Sequence, residues 1–260
     1  MGFGLIIIGD EILSGKREDR HFAQVRGLMA ARGLRLDWVS YLGDDRPRLT
    51  AALAHSFAGG DIVFSCGGIG GTPDDHTRQA AAAALGLALV LHPDARDLIA
   101  ARMAEVGQPL TPDRLSMGEF PEGAEIIPNP FNRIPGFSIR QHHFVPGFPV
   151  MAWPMLEWVL DSHYAHLFHG EELAERSLQT EGIAEGTLTP LMQAVEREFP
   201  GVRVFSLPHM DPERQVAYHI ELGVKGPPAA IEAAFARLAE GVAALAGEVG
   251  AMSEERMRQS

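Results

Sequence analysis

Three acidic pairs, Asp10-Glu11, Asp44-Asp45 and Asp74-Asp75, each follow a short apolar run. A glycine-rich segment, Ser65-Cys66-Gly67-Gly68-Ile69-Gly70-Gly71-Thr72-Pro73, leads into the third pair. Glycines let a backbone take positive φ and approach a ligand closely. Amides at such a strand-to-helix junction attract phosphate, with Thr72 placed to cap the helix and Pro73 to open it. Carboxylates converging beside the loop would supply hard oxygen ligands for Mg²⁺ or a similar cation, which would bridge them to a phosphate. The plainer alternatives are a tight turn, acids that complement a helix dipole, and Gly-Asp pairs that only form turns. The spacing is neither that of a dinucleotide-binding Gly-x-G-x-x-Gly nor of a lysine-bearing phosphate loop.

The surrounding pattern predicts the elements that would hold these groups. Residues 3–8 and 61–65 are continuous apolar runs of the kind buried on both faces of a parallel sheet, and residues 34–42 alternate loosely. Between and after them, residues 20–32 and 47–58 carry apolar positions at helical spacing, closed by Gly33 and by Gly59-Gly60, and residues 75–85 form an alanine-rich helical stretch. Three strands alternating with three helices predict an α/β unit with helices on both faces of a mostly parallel sheet. The ends of the strands then share one edge, so the three acidic pairs stand in register along it. Residues 93–106 read as a further helix and residues 109–135 as loop with short strands. Residues 137–140 and 143–145 read as a strand pair near a sheet edge, and residues 149–168 as a long helix.

Beyond residue 168 the pattern changes to β-α-β-β-α, which predicts a small α+β domain with antiparallel strands. The expected organisation is residues 1–168, residues 169–252 and a charged, frayed tail over 253–260.

Composition bounds the rest. The 260 residues are 46% hydrophobic and 22% charged, the balance of a globular protein. No apolar run has the length of a membrane span, and the apolar start lacks a basic leader and a cleavage site, so no signal peptide is expected. A single cysteine, Cys66, excludes an internal disulfide framework and points to a reducing, cytoplasmic setting. A net charge of −12 argues against nucleic acid and anionic membrane as partners. His163, His166 and His169 are expected to serve a helix C-terminus, and Cys66 to be a buried small residue. Arg133 could grip a phosphate or lie on the surface.

The motifs Gly9-Asp10-Glu11-Ile12-Leu13-Ser14-Gly15, Gly43-Asp44-Asp45 and Gly67 to Arg78 resemble those of the molybdopterin-binding domain family. Their order and spacing are most similar to its CinA-type (competence/damage-inducible) branch. The match continues through Phe120-Pro121-Glu122-Gly123-Ala124, Pro128-Asn129-Pro130, Pro135-Gly136-Phe137 and Val145-Pro146-Gly147-Phe148-Pro149, covering about residues 4–165.

The resemblance implies a three-layer α/β/α fold and a small KH-like second domain. It also implies either a metal-dependent pyrophosphatase acting on FAD or ADP-ribose, or a molybdopterin adenylyltransferase-like enzyme. A pterin-binding protein without turnover is the further alternative. It places Asp44 and Asp75 as catalytic acids, and Gly67, Gly68, Gly70, Gly71, Thr72, Pro146 and Gly147 around a pterin or nucleotide phosphate. Asp10, Glu11, Asp44 and Asp75 would hold a divalent cation, with molybdopterin as a possible bound group and a homo-oligomer as the expected assembly. CinA-type chains often carry a further amidohydrolase domain; the sequence stops before one, so that activity is not expected.

The sequence departs from the branch at Gly71 (usually Pro), at residues 131–134, at Val150-Met151 (usually Ser-Glu) and at His21 (usually Asn).

Overall fold

A computed structural model describes residues 2–170, 173–211 and 216–259. By internal contacts the chain divides into two units, at Gly170/Glu171.

The first unit opens with β1 (Phe3–Ile8), the short helix α1 (Asp10–Leu13), α2 (His21–Ala30), β2 (Trp38–Leu42) and α3 (Arg46–Ala58). It continues with β3 (Ile62–Cys66), α4 (Thr77–Leu85), β4 (Leu89–Leu91), α5 (Pro93–Glu105), α6 (Pro112–Ser116) and β5 (Glu119–Pro121). It closes with β6 (Glu125–Ile127), β7 (Gly136–Ile139), β8 (His142–Val145), α7 (Pro149–His163) and a 3-10 turn at Ala165–Leu167.

Six strands form one sheet in the order β2-β1-β3-β8-β7-β6. The pairs β1/β2, β1/β3 and β3/β8 are parallel, whereas β7/β8 and β6/β7 are antiparallel. The sheet is therefore mixed. The strand pair expected near an edge lies there, with only β6 outside it, and neither strand is itself the edge, since β8 joins β3 and β7 joins both β8 and β6. Full burial of all four residues in each of β7 and β8 explains the placement: such strands need cover on both faces. A separate antiparallel pair joins β4 to β5.

Alternation along β1 sorts side chains to the two faces. Leu5 and Ile7 pack with Val25 and Met29 of α2 and with Met155, Leu156 and Val159 of α7. Ile6 and Ile8 pack with Leu49 and Leu53 of α3 and with Ala80 and Ala81 of α4. This is the expected three-layer α/β/α arrangement. Each such Leu or Ile contributes roughly 1.5–3 kcal/mol on burial.

The first helix of the third βα unit starts at Thr77, not at residue 75, and Thr72 does not cap it. Thr72 to Asp75 instead close a turn of their own, with Asp75 N donating to Thr72 O at 3.0 Å.

The second unit contains β9 (Ala174–Thr180), α8 (Glu185–Glu198), β10 (Arg203–Asp211), β11 (Val216–Gly226) and α9 (Pro228–Gln259). Its sheet runs β10-β11-β9, all antiparallel, as the sequence pattern predicts. Leu188 and Val195 of α8, Leu222 and Val224 of β11 and Ile231, Ala234 and Leu238 of α9 form its core. α9 runs helical to Gln259, into the residues expected to form a tail, and neither glycine nor proline follows Gly250 to stop it. Among the described residues, no helix is long and apolar enough to cross a membrane.

Candidate functional site

The carboxyl ends of β1, β2, β3 and β8 lie on the same edge of the sheet because these four strands run parallel. The chain leaves β1 toward β2 on one side and later reaches β3 on the other. A crevice opens at such a reversal of strand order. It is a cavity of about 440 Å³. Gly9, Glu11 and Arg17 after β1, Asp44 after β2, and Gly67 to Thr72, Asp74 and Asp75 after β3 form one wall. Pro146, Gly147 and Phe148 after β8, with Asn129, Asn132, Ile134 and Met151, form the other.

The glycine segment leaves β3 through two positive φ values, 112° at Gly67 and 68° at Gly68. A Cβ on Gly67 would sit 2.2 Å from the backbone oxygen of Ile8, and one on Gly68 2.2 Å from Thr77 Oγ1. Only glycine fits either place. Thr77 Oγ1 donates to Gly67 O at 3.0 Å and Thr77 N to Gly68 O at 3.0 Å, so the carbonyls are held against α4. Among the described residues, no acceptor meets the N–H groups of Gly68, Ile69, Gly70 and Gly71. Buried backbone donors nearly always find a partner; here Ile69 is buried, Gly68 and Gly70 are half-buried and Gly71 is exposed. Four consecutive donors without a protein partner, all on residues lining one cavity, are of the kind that can cradle an anion.

The acidic pairs take different roles. Asp10 and Asp44 meet: Asp10 N donates to Asp44 Oδ2 at 2.9 Å and Asp44 N to Asp10 Oδ1 at 3.2 Å. Burial, and then the carboxylates of Asp10, Glu11 and Asp74, push the Asp44 carboxyl above the usual carboxylate range, against the Asp10 N–H bond, which lowers it. Asp45 caps α3 by accepting from Arg48 N at 3.0 Å. Asp75 does not join Asp10, Glu11 and Asp44. Its Oδ2 accepts the Thr72 N–H at 2.9 Å and the Thr72 hydroxyl at 2.5 Å. The Thr72 amide is thereby withdrawn from the cradle.

The expected four-carboxylate cation site is thus not assembled. Among the described residues, no three His, Cys, Asp or Glu side chains stand ready to hold a metal ion. The physical reason is that Asp10, Asp44 and Asp75 each answer a backbone donor nearby, and the like charges repel. Mg²⁺ sites beside phosphates are built from one or two carboxylates plus phosphate oxygens. Asp10 and Asp44 fit that donor set; Asp44 lines both the cavity and an adjoining groove, whereas Asp10 lines only the groove, with Glu11, Asp74 and Lys16.

Sequence reasoning overlooked three residues. Arg78 is buried behind the loop and donates to Gly70 O at 2.6 Å and to Ser116 O. Its signal was only its place one residue into α4. His21 is buried, and its Nε2 donates to Gly147 O at 3.0 Å, seating Pro146-Gly147 beside Gly67. The departure from Asn at this position was the available hint. Arg17 is the sole cation among the described residues that line the cavity. Arg133 does not line it; it stands 3.7 Å from Glu105 on the surface. Burial pushes the Cys66 thiol well up, so it remains protonated and is no nucleophile.

A family profile described as "Probable molybdopterin binding domain" matches residues 4–166. A "CinA-like protein" of Anaeromyxobacter sp. (strain Fw109-5) is 33% identical over 253 residues, 94% of this chain and 59% of that protein. Another, from Desulforapulum autotrophicum, is 30% identical over 213 residues, 78% of this chain and 50% of that protein. The chain thus spans little more than half the length of these relatives. The solved structure of the protein CinA with unknown function from Thermoplasma acidophilum aligns with a TM-score of 0.56 and 27% identity. That alignment covers 62% of this chain and 96% of the other. With the glycine loop, the paired aspartates and the three-layer sheet in place, the chain belongs to the molybdopterin-binding domain family, in its CinA-type branch.

Proposed function

We propose that the first unit binds a phosphate-bearing nucleotide or pterin in the cavity and hydrolyses a nucleotide pyrophosphate of the FAD or ADP-ribose type. The observation that carries this reading is the run of four N–H groups, Gly68 to Gly71, that meet no acceptor among the described residues. They would hold a phosphate through charge-assisted bonds. Asp10 and Asp44 would hold a divalent cation together with phosphate oxygens, and such a cation would offset charge that develops on the pyrophosphate. Pro146 and Gly147, fixed through His21, close the opposite wall.

Asp75 has a plain part in this reading. Its carboxylate occupies the Thr72 amide, so an arriving phosphate would exchange with it, and the freed Asp75 would become available to a water or a cation. The same closed Asp75–Thr72 turn favours a second reading, a pterin- or nucleotide-binding protein without turnover. Incubation with FAD, ADP-ribose, or ATP plus pterin, each with and without Mg²⁺, separates the two. The expected outcome is metal-dependent release of mononucleotide, lost in Asp44→Asn at unchanged fold. Tight pterin or nucleotide binding with no product under any condition would sink the hydrolase reading.

A further inference from the structure

Arg78 is 2% exposed and is the largest side chain that the first unit buries so completely. Nη2 donates to Gly70 O and Nη1 to Ser116 O, while Nε is buried with no acceptor. Among the described residues no carboxylate stands within ion-pair distance of it. Asp75 and Glu119 act on it only through space, and burial outweighs both in lowering its hold on its proton. A guanidinium nevertheless stays charged in a protein. Burying such a charge without a paired counter-charge is expensive, and in a chain of net charge −12 a carboxylate partner would have been easy to supply.

The position of the charge suggests what offsets it. The peptide between Gly70 and Gly71 presents its carbonyl to Arg78. Its N–H, on Gly71, belongs to the run of amides without acceptors along the cavity. A hydrogen bond on the carbonyl side polarises the N–H side of the same peptide. The guanidinium therefore adds positive potential to the cradle from behind, where a ligand cannot touch it.

We propose that Arg78 is a positioning residue whose counter-ion is the phosphate held by the loop, which makes the site selective for dianionic over monoanionic phosphate groups. The proposal rests on the reading that residues 68–71 bind phosphate. It adds the charge state of the group the site prefers: each phosphate inside an FAD- or ADP-ribose-type pyrophosphate is a monoanion, so a dianion preference matches the terminal phosphate of the mononucleotide that hydrolysis releases, or of a pterin phosphate, and not the intact pyrophosphate.

The test is a chemical-shift titration at pH 8 without divalent cation, read at the Gly70 and Gly71 amide signals. Methyl phosphate is a dianion at that pH, its second pKa lying near ~6, and dimethyl phosphate is a monoanion. The wild-type chain is expected to bind the dianion about tenfold more tightly, the order expected for one extra charge a few ångström from a partly buried cation. In R78Q the ratio falls to about threefold or less; in R78K, which keeps the charge, most of it survives. A purely structural Arg78 would weaken both ligands alike and leave the ratio unchanged. E119Q removes the through-space carboxylate and should raise the ratio by roughly twofold; this decides the matter should R78Q fail to fold. Equal affinities in the wild type, an unchanged ratio in R78Q, a loss in R78K equal to that in R78Q, or no rise in E119Q would each overturn the role of Arg78 while leaving phosphate binding standing. Absence of any shift at the loop with either ligand would overturn both.

Discussion

Strands β3 and β8 lie side by side, yet the body of β8 and the carboxyl edge of β3 treat polar groups in opposite ways. Within β8, His143 is buried with Nδ1 2.8 Å from Ser138 Oγ and Nε2 2.7 Å from the Tyr164 hydroxyl. His142 Nε2 lies 2.7 Å from Ser56 Oγ, and only its Nδ1 is left over. At the carboxyl edge, the four consecutive backbone donors that follow Gly67 meet no acceptor among the described residues, Asp10 and Asp44 after β1 and β2 crowd each other, and Arg78 of α4 is buried without an ion pair. Most polar side chains inside the sheet are spent on each other, with Ser65 Oγ and His142 Nδ1 left over. The polar groups at its carboxyl edge are left for something else. A buried unsatisfied group costs stability, and Arg78 Nε at this edge is one; the proposed phosphate site would answer that guanidinium's charge.

The sharpest way to break this contrast is to disturb the loop that carries it. Gly67→Ala places a methyl group 2.2 Å from a backbone oxygen that cannot swing away, at a φ of 112°. A loss of more than about 3 kcal/mol in denaturant unfolding is expected, together with loss of phosphate-dependent shifts. Gly86→Ala is the control. Its φ is 65°, but a Cβ there meets nothing within 4 Å, so a cost of about 1 kcal/mol is expected. Equal effects at the two glycines would mean that the loop is no more constrained than a helix end.

The buried histidines test the other side. Burial first, then neighbouring positive charge, holds His142 down to about 4 and His143 down to about 3. Between those values and the ordinary ~6.5, the unfolded chain takes up protons that the folded chain refuses. Stability is therefore complete above about pH 6.5 and falls as the pH drops below it. Each histidine should cost about 2 kcal/mol at pH 5 relative to pH 7. Thermal unfolding between pH 7 and 5 measures it, and a Tm independent of pH over this range would show that neither histidine is held neutral.

Most of the two units was legible in the sequence because their signals are local. The continuous apolar run 3–8 and the helical spacing in 47–58 each decide one element with little help from the rest of the chain. The partner of the 142–145 run was not legible. A four-residue strand such as His142–Val145 reads alike at an edge or in the middle, and only its pairing with β3 decides. In the site, glycine and acid positions could be read from type and spacing. The division of labour among the acids could not, because it depends on which backbone N–H each carboxylate reaches: Asp44 reaches Asp10, whereas Asp75 turns back on Thr72. Arg78 was invisible for a related reason. A lone arginine early in a helix reads as surface, and its burial follows only from the loop folding over it.

Asp44 lets stability and function be set against each other. Its carboxyl is raised by burial and by neighbouring acids, so the ionised form is a cost to the folded state. The sign follows from linkage: an acid with a folded pKa above its unfolded value destabilises increasingly as pH rises through the interval between the two. Asp44→Asn removes that cost and should raise stability at neutral pH, with the gain fading as the pH falls through the ordinary carboxylate range. The same variant should lose metal-dependent turnover. A variant that is less stable at pH 7 would show that the Asp10–Asp44 contact is a structural link and not a strained pair kept for a ligand.

Arg17 carries the smallest expected effect and tests how far the contrast extends outward. It lines the cavity beside Glu11, Asp44, Asp74 and Asp75, is exposed, and makes no ion pair among the described residues. Its backbone is fixed, with Arg17 N donating to Glu11 O at 3.0 Å, so the side chain starts from a set place at the rim. A phosphate entering a wall of four carboxylates is repelled before it reaches the amides, and an exposed cation at the rim offsets part of that repulsion. Water and salt screen such a charge, so Arg17→Gln should weaken phosphate-ester binding only about threefold at low salt and not measurably at 0.5 M NaCl. The replacement leaves the packed core untouched, and Tm should not move. A salt-independent loss of tenfold or more would instead place Arg17 in direct contact with the ligand, and the line between partnered interior and open edge would then run through the rim as well as the loop.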